Sequence, residues 1–205
     1  MREAVIATGG MCLFALFALR PLPLFAVSLA GLMIVAAVMS RSLGRETSLR
    51  AVFGWIPFSR NVGFSTAIGC ILGLLLGVAY RGAYGLSLFP IPLALFVVPA
   101  ALIGATEEMV FRGYIQGRIT GSGLLLAPAF AALSHTAYKC AVFLVPPDGI
   151  EIDLPLLASL TFAAGFALAL LRQVSGSVLP ALGAHVLFDV LAYGDRPEAP
   201  WWIWR

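Results

Sequence analysis

Six ionisable side chains lie within or beside long apolar runs in the second half of the sequence, and their types suit hydrolytic chemistry. They are Glu107, Glu108, Arg112, His135, His185 and Asp189. The chain has only two histidines, and both belong to this set. A charged side chain at the centre of a bilayer costs at least about 2.5–3.5 kcal/mol, so residues placed there usually have a function.

The first three of these residues are close together in the sequence. Glu108 and Arg112 are four positions apart, so they share one face of a helix and can form an ion pair. Glu107 is rotated by about 100° from Glu108 around the helix axis and points in another direction. The spacing predicts that Arg112 neutralises one glutamate while the other stays free for chemistry.

The remaining three residues come from two further apolar segments. His185 and Asp189 are also four positions apart and share a helix face. His135 follows Ala131 and Ala132, whose small side chains allow close contact between helices. Polar groups on three helices would each be costly if they faced lipid. The sequence therefore predicts that they converge in one internal polar cavity.

A carboxylate and two histidines in such a cavity have a recognisable chemical use. A carboxylate beside a histidine can act as a general base and take a proton from water. A second histidine and its neighbour can donate hydrogen bonds to a developing oxyanion. Together these groups can hydrolyse an amide without a serine or cysteine nucleophile. Ser134 and Ser177 are not predicted to be nucleophiles, because neither lies in a suitable turn.

A metal site is the alternative chemistry for the same residues. Histidine and carboxylate are ligands of zinc, so a divalent ion such as zinc would be held by Glu107, His135, His185 and Asp189. The sequence has no H-E-x-x-H pair, and these ligands would come from distant segments. Whether the site uses a metal or no cofactor stays open at this point.

Other charged residues have simpler interpretations. Arg118, Lys139 and Arg172 are predicted to be anchors at the membrane boundary, with apolar stems in the lipid and charged ends in water.

The composition identifies the class of protein in which these residues lie. The chain has 205 residues, of which 60% are hydrophobic and 11% are charged. Soluble domains have about 25% charged residues, so this chain cannot cover a water-facing surface. Scattered basic residues and a net charge of +3 argue against a nucleic-acid partner. Continuous rather than alternating apolar runs favour transmembrane helices over a barrel.

The predicted fold is an all-α, polytopic transmembrane bundle of about seven to eight helices. A spanning helix needs about 20 mostly apolar residues. Seven segments are candidates: Ala4–Leu19, Leu22–Met39, Val62–Tyr80, Leu86–Thr106, Leu124–Leu144, Leu154–Leu171 and Val178–Tyr193. The first of them is short, so an interfacial helix is the alternative there. Pro90, Pro92 and Pro99 are expected to kink the fourth helix or delay its start.

The charges between the helices predict an orientation. The stretch 41–60 holds four arginines and one acidic residue, which places it in the cytoplasm by the positive-inside rule. The protein is therefore expected to be a multi-pass protein of the cytoplasmic (inner) membrane.

The sequence is predicted to have three regions. They are N-terminal transmembrane helices (1–85), a catalytic core (86–195) and a tail (196–205) in which Trp201, Trp202 and Trp204 form an interfacial anchor.

Two motifs of this sequence resemble a known family. The segment Glu107–Tyr114 (EEMVFRGY) is similar to an E-E-x-x-x-R motif with its F-R-G continuation. The segment 175–180 (SGSVLP), followed by His185-x-x-x-Asp189, is similar to a final H-x-x-x-N/D motif. The middle motif, F-x-x-x-H, matches at His135 but not four residues earlier, where Ala131 stands beside Phe130. These motifs are typical of the CPBP family of intramembrane endopeptidases (CAAX prenyl proteases and bacteriocin-processing proteins, also called Abi).

The resemblance implies roles for the six residues. Glu107 would activate water with the assistance of His135, and Glu108 and Arg112 would support the site. His185 and Asp189 would stabilise the oxyanion. Asparagine at the last position could donate a hydrogen bond directly, whereas Asp189 must be protonated, orient His185 or help to hold a metal. Both a metalloprotease-like mechanism and a metal-free glutamate mechanism remain open.

The implied partners are the lipid bilayer and a peptide or protein substrate, either lipidated (prenylated) or unmodified. Two other functions are compatible with the same features. One is a non-catalytic immunity or partner-binding protein on the same scaffold. The other is a small transporter or proton channel, although no inverted repeat or pair of broken helices supports it.

Overall fold

The computed structural model describes residues 1–18, 20–45, 53–54, 59–144 and 151–195, and within these ranges the chain is all-helical. The main helices are α1 (Arg2–Ala18), α2 (Leu24–Arg45), α3 (Arg60–Ala83), α4 (Val97–Glu108), α5 (Leu126–Phe143), α6 (Leu154–Ser175) and α7 (Leu179–Tyr193). The π-helix Met109–Ile115 continues α4 directly, and a short 3₁₀ turn, Thr120–Ser122, precedes α5. The prediction of an all-α bundle with about seven helices is confirmed.

Three of these helices, α2, α3 and α6, are long and apolar enough to cross a membrane by length and composition, and α7 is a shorter apolar helix. Together with the apolar composition, they identify the chain as a membrane protein. The predicted tail anchor at Trp201–Trp204 lies outside the described residues.

The fourth predicted helix begins later than the sequence indicated. The prediction placed its start at Leu86, whereas α4 begins at Val97. Pro90 and Pro92 lie in the non-helical segment before it, because a proline inside a helix removes a hydrogen bond and clashes with the preceding turn. Pro99 lies in the first turn, where its missing N–H would have had no partner in any case. The expected delay therefore amounts to 11 residues from Leu86 to Val97.

Two arrangements hold the helix that carries His185 and Asp189. A glycine row on α3, Gly69, Gly73 and Gly77, lies directly against α7. A Cβ atom at Gly69 or Gly73 would overlap the carbonyl oxygen of Pro180 or Ala184, respectively. Small residues at four-residue spacing allow this close approach of two helix backbones. The signal for this helix pair in the sequence is the four-residue spacing of the three glycines.

At the other end of α7, the buried Arg81 joins three segments. Its guanidinium donates to both carboxylate oxygens of Asp195, at 2.9 and 2.7 Å, and to the carbonyl of Leu191 at 2.8 Å. It also donates to the backbone carbonyl and hydroxyl of Ser87. Arg81 therefore ties the end of α3 to the end of α7 and to the segment that leads into α4.

The glycine row gives the first testable prediction. We expect Gly73→Ala to lower the thermal unfolding midpoint in detergent, because the new methyl group pushes α7 away from α3. Gly82→Ala is the matched control, since a Cβ at that position of α3 meets no atom within 4 Å. An unchanged midpoint in Gly73→Ala would show that the packing of α3 on α7 is not tight.

Candidate active site

The site is built around the junction between α4 and the π-helix. Glu107 and Glu108 end α4, and Arg112 lies one turn later in the π-helix. Arg112 Nη1 donates to Glu108 Oε1 at 2.9 Å, and both side chains are fully buried. The predicted ion pair is therefore present. Short π-helical stretches within helices are frequent at functional sites.

The second glutamate, Glu107, contacts a different set of groups. Its Oε2 atom lies 3.1 Å from His135 Nε2 on α5 and 3.8 Å from His185 Nε2 on α7. Its Oε1 atom accepts a hydrogen bond from Lys139 Nζ at 2.6 Å. Glu107 is not the partner of Arg112, but it forms its own ion pair with Lys139, which the spacing of the glutamates does not indicate. That Glu107 is the glutamate left for chemistry stays a prediction.

The protonation of His135 follows from its partners. Arg112 Nη1 lies 3.0 Å from His135 Nδ1. A guanidinium can only donate, so Nδ1 is the acceptor and carries no proton. The proton is then on Nε2, which donates to Glu107. The centroid of the ring lies 4.8 Å from that of Phe111, so the first motif supplies an aromatic neighbour of His135. Tyr138 stacks on the same ring, with centroids 6.2 Å apart.

His185 is oriented by Glu108 rather than by Asp189. His185 Nδ1 donates to Glu108 Oε1 at 2.7 Å, whereas its Nε2 lies 3.8 Å from Asp189 Oδ2. The buried Asp189 lies against Gly104 of α4, where a Cβ would overlap its carboxylate. Three helices and the π-helix thus bring all six predicted residues into one contiguous cluster. The polar groups contact one another directly, and a polar cavity stays a prediction.

Two of the predicted boundary anchors lie inside the protein instead. Lys139 enters the cluster, and Arg172 is buried, with its guanidinium beside Gly54. The position of Lys139 four residues after His135 places the two on one helix face, and this spacing was the available signal. The expected anchor at Arg118 is mostly buried and lies 3.9 Å from Glu3.

The arrangement does not fit a metal-ligand cage. Among the described residues, no group of three or more histidine, cysteine or carboxylate side chains has suitable geometry. Both ring nitrogens of His135 are engaged, by Arg112 and by Glu107. The ammonium of Lys139 lies on Glu107, where it would repel a cation. The metal alternative stays a prediction.

An apolar cavity of about 370 Å³ lies beside the cluster. Its walls come from α1, α2, α4, the π-helix and α5, and most of the lining side chains are apolar. Glu107, Thr106 and Tyr138 are the polar residues in its lining. Glu107 therefore belongs both to the polar cluster, through its carboxylate, and to the residues that line an apolar cavity.

The fold and the cluster describe an all-α membrane protein with a buried glutamate–histidine network. Residues 87–191 match the family model described as type II CAAX prenyl endopeptidase Rce1-like. The chain belongs to this family, which confirms the resemblance to the CPBP endopeptidases. All six predicted site residues lie within the matched range. Comparisons with curated proteins and with solved structures gave no match.

Proposed function

We propose that the protein is an intramembrane endopeptidase in which Glu107 activates the attacking water. The observation that carries the proposal is the position of Glu107 between the histidine cluster and the apolar cavity. A buried carboxylate is costly, and this one has two histidines within 4 Å of one oxygen. Membership of a family of prenyl endopeptidases supports the reaction class. The proposal assigns the chemistry to the core formed by residues 86–195.

The first step is proton abstraction. Glu107 Oε2 takes a proton from water, and the resulting hydroxide attacks the scissile carbonyl carbon. His135 donates to the same carboxylate through Nε2, and Arg112 fixes this tautomer from the other side of the ring. His135 therefore positions the base instead of accepting the proton itself.

The second step needs a donor for the oxyanion. His185 Nδ1 is already bound to Glu108, so Nε2 is the atom available to the substrate. An imidazolium form of His185 would donate from Nε2 to the oxyanion, and the surrounding carboxylates stabilise that charged form. The intermediate then collapses, the C–N bond breaks, and Glu107 returns its proton to the leaving amine. The products are a new carboxyl terminus and a free amine.

The cavity supports a lipidated peptide as substrate. Prenyl groups are attached to cysteine in a C-terminal C-a-a-X sequence. An apolar chain in the cavity would lie next to Glu107, and the peptide bond near the modified cysteine would then be within reach of the base. Besides the peptide substrate, the lipid bilayer is the other proposed partner. We also propose that the 41–60 stretch lies in the cytoplasm.

The direct test uses the purified full chain in detergent with an S-farnesylated peptide that ends in C-a-a-X. Mass spectrometry of the products is expected to show hydrolysis after the modified cysteine. A folded protein that cleaves neither this peptide nor its unmodified form would contradict the proposal. That result would favour the non-catalytic alternative.

A cavity-filling substitution tests the lipid site separately. We expect Ile103→Trp, in the wall of the cavity, to raise KM for the farnesylated peptide by roughly tenfold, equivalent to about 1.4 kcal/mol of lost binding. The unmodified peptide should be affected much less. Val98→Trp is the matched control on α4, because Val98 is exposed and not part of the lining. Equal effects on both peptides would place the lipid elsewhere.

A further inference from the structure

Lys139 differs from the other basic residues of the protein in type and in position. It is the only lysine in the chain, in which every other basic side chain except the two histidines is an arginine. Its Nζ atom lies 2.6 Å from Glu107 Oε1 and 5.5 Å from the centre of the Tyr138 ring. Its side chain is 25% exposed, whereas that of Glu107 is 4% exposed. Lys139 therefore covers one side of the base and extends from it toward the outside of the cluster.

The charges around His185 explain why a cation is needed there. Glu107 Oε2 and Asp189 Oδ2 are each 3.8 Å from His185 Nε2, so two carboxylates face one ring nitrogen. Two negative charges that share a site repel each other, and each disfavours the charged form of the other group. Arg112 is already bound to Glu108 and His135. Lys139 lies on Glu107, which faces the same nitrogen of His185 as Asp189, so its ammonium supplies positive charge to this half of the cluster.

We propose that Lys139 is a positioning residue for Glu107, and that it offsets the charge of Asp189. The ammonium holds Oε1 and so turns Oε2 toward the two histidines. A compact ammonium suits this task because it acts as a point charge, whereas the planar fork of arginine binds both oxygens of a carboxylate. The effect on cleavage rests on the proposed function, but the ion pair itself is testable without activity.

The first experiment measures the ion pair. The full chain in detergent is treated with an N-hydroxysuccinimide ester of acetate, and mass spectrometry follows acetylation of the single lysine over time. The contact with Glu107 restricts the access of the reagent to the amine, so the ion pair should slow the reaction. Acetylation is expected to be several-fold faster in Glu107→Gln than in the unsubstituted protein. Glu151→Gln, at an exposed position, is the matched control. Equal rates in Glu107→Gln and the unsubstituted protein would overturn the proposal.

The second experiment measures cleavage of the farnesylated peptide. Lys139→Met is expected to lower kcat by on the order of 10- to 100-fold. This is the usual loss in metalloenzymes when a residue that orients a metal-binding side chain is removed. KM should stay within about threefold, because the substrate is not the partner of Lys139. Lys139→Arg should restore part of the loss, since it returns the charge. A loss confined to KM, or no loss, would contradict the positioning role.

A double-mutant cycle tests the link to Asp189. If Lys139 offsets the charge of Asp189, Lys139→Met should cost less in an Asp189→Asn background than alone. An equal cost in both backgrounds would overturn that part of the proposal. Absence of cleavage in the unsubstituted protein would count against the proposed function, and the acetylation rates would still decide whether the ion pair exists.

Discussion

Glu107→Gln is expected to lower kcat for peptide cleavage by about 10²- to 10⁴-fold, the contribution of a positioned general base. Glutamine has the shape of glutamate, and its amide oxygen can still accept the hydrogen bond from His135. It cannot take a proton from water. The loss should therefore appear in kcat, while the protein continues to fold in the membrane and in detergent.

Two comparisons make this result specific. Glu151→Gln removes a carboxylate from an exposed position and should leave kcat unchanged. Size-exclusion behaviour and the thermal midpoint should show that Glu107→Gln is folded. Cleavage close to that of the unsubstituted protein would exclude Glu107 as the base. A proteoliposome flux that depends on Glu107, without any cleavage, would instead favour the transporter hypothesis.

The parts of the site that depend on one helix were predictable from the sequence. The pairing of Glu108 with Arg112 follows from the four-residue spacing, and so does the different direction of Glu107. The sequence also predicted that His135 and His185 would meet these residues, because isolated polar groups are costly in lipid. The convergence of all six side chains was therefore a consequence of burial and helix geometry.

The parts that depend on the register between helices were not predictable in this way. The choice of Glu108 rather than Asp189 as the partner of His185 requires knowledge of how far α7 is shifted along α4. That shift is set by the contact of Gly104 with α7 and by the glycine row of α3. The prediction that Lys139 is a boundary anchor fails for a related reason. A lysine near a helix end is compatible with both a boundary anchor and an inward-facing ion pair. Only the rotation of α5 against α4 distinguishes the two.

The second large effect is expected from Arg112→Met. Arg112 is fully buried and donates to both Glu108 and His135. Removing one partner of a buried ion pair leaves an uncompensated charge and costs about 3–5 kcal/mol of stability. His135 would also lose the hydrogen bond that keeps its proton on Nε2. We therefore expect a large drop in the unfolding midpoint in detergent, together with loss of cleavage. Arg45→Met is the control, because its side chain is 58% exposed in its pair with Glu3 and such surface pairs contribute about 0–1 kcal/mol.

A double substitution separates the two effects of Arg112. In Glu108→Gln with Arg112→Met both charges are absent, so the stability cost should be smaller than in Arg112→Met alone. Cleavage should not return, since His135 still lacks its partner. Recovery of stability without recovery of cleavage would therefore assign the pair to the positioning of the two histidines, and recovery of both would assign it to folding alone.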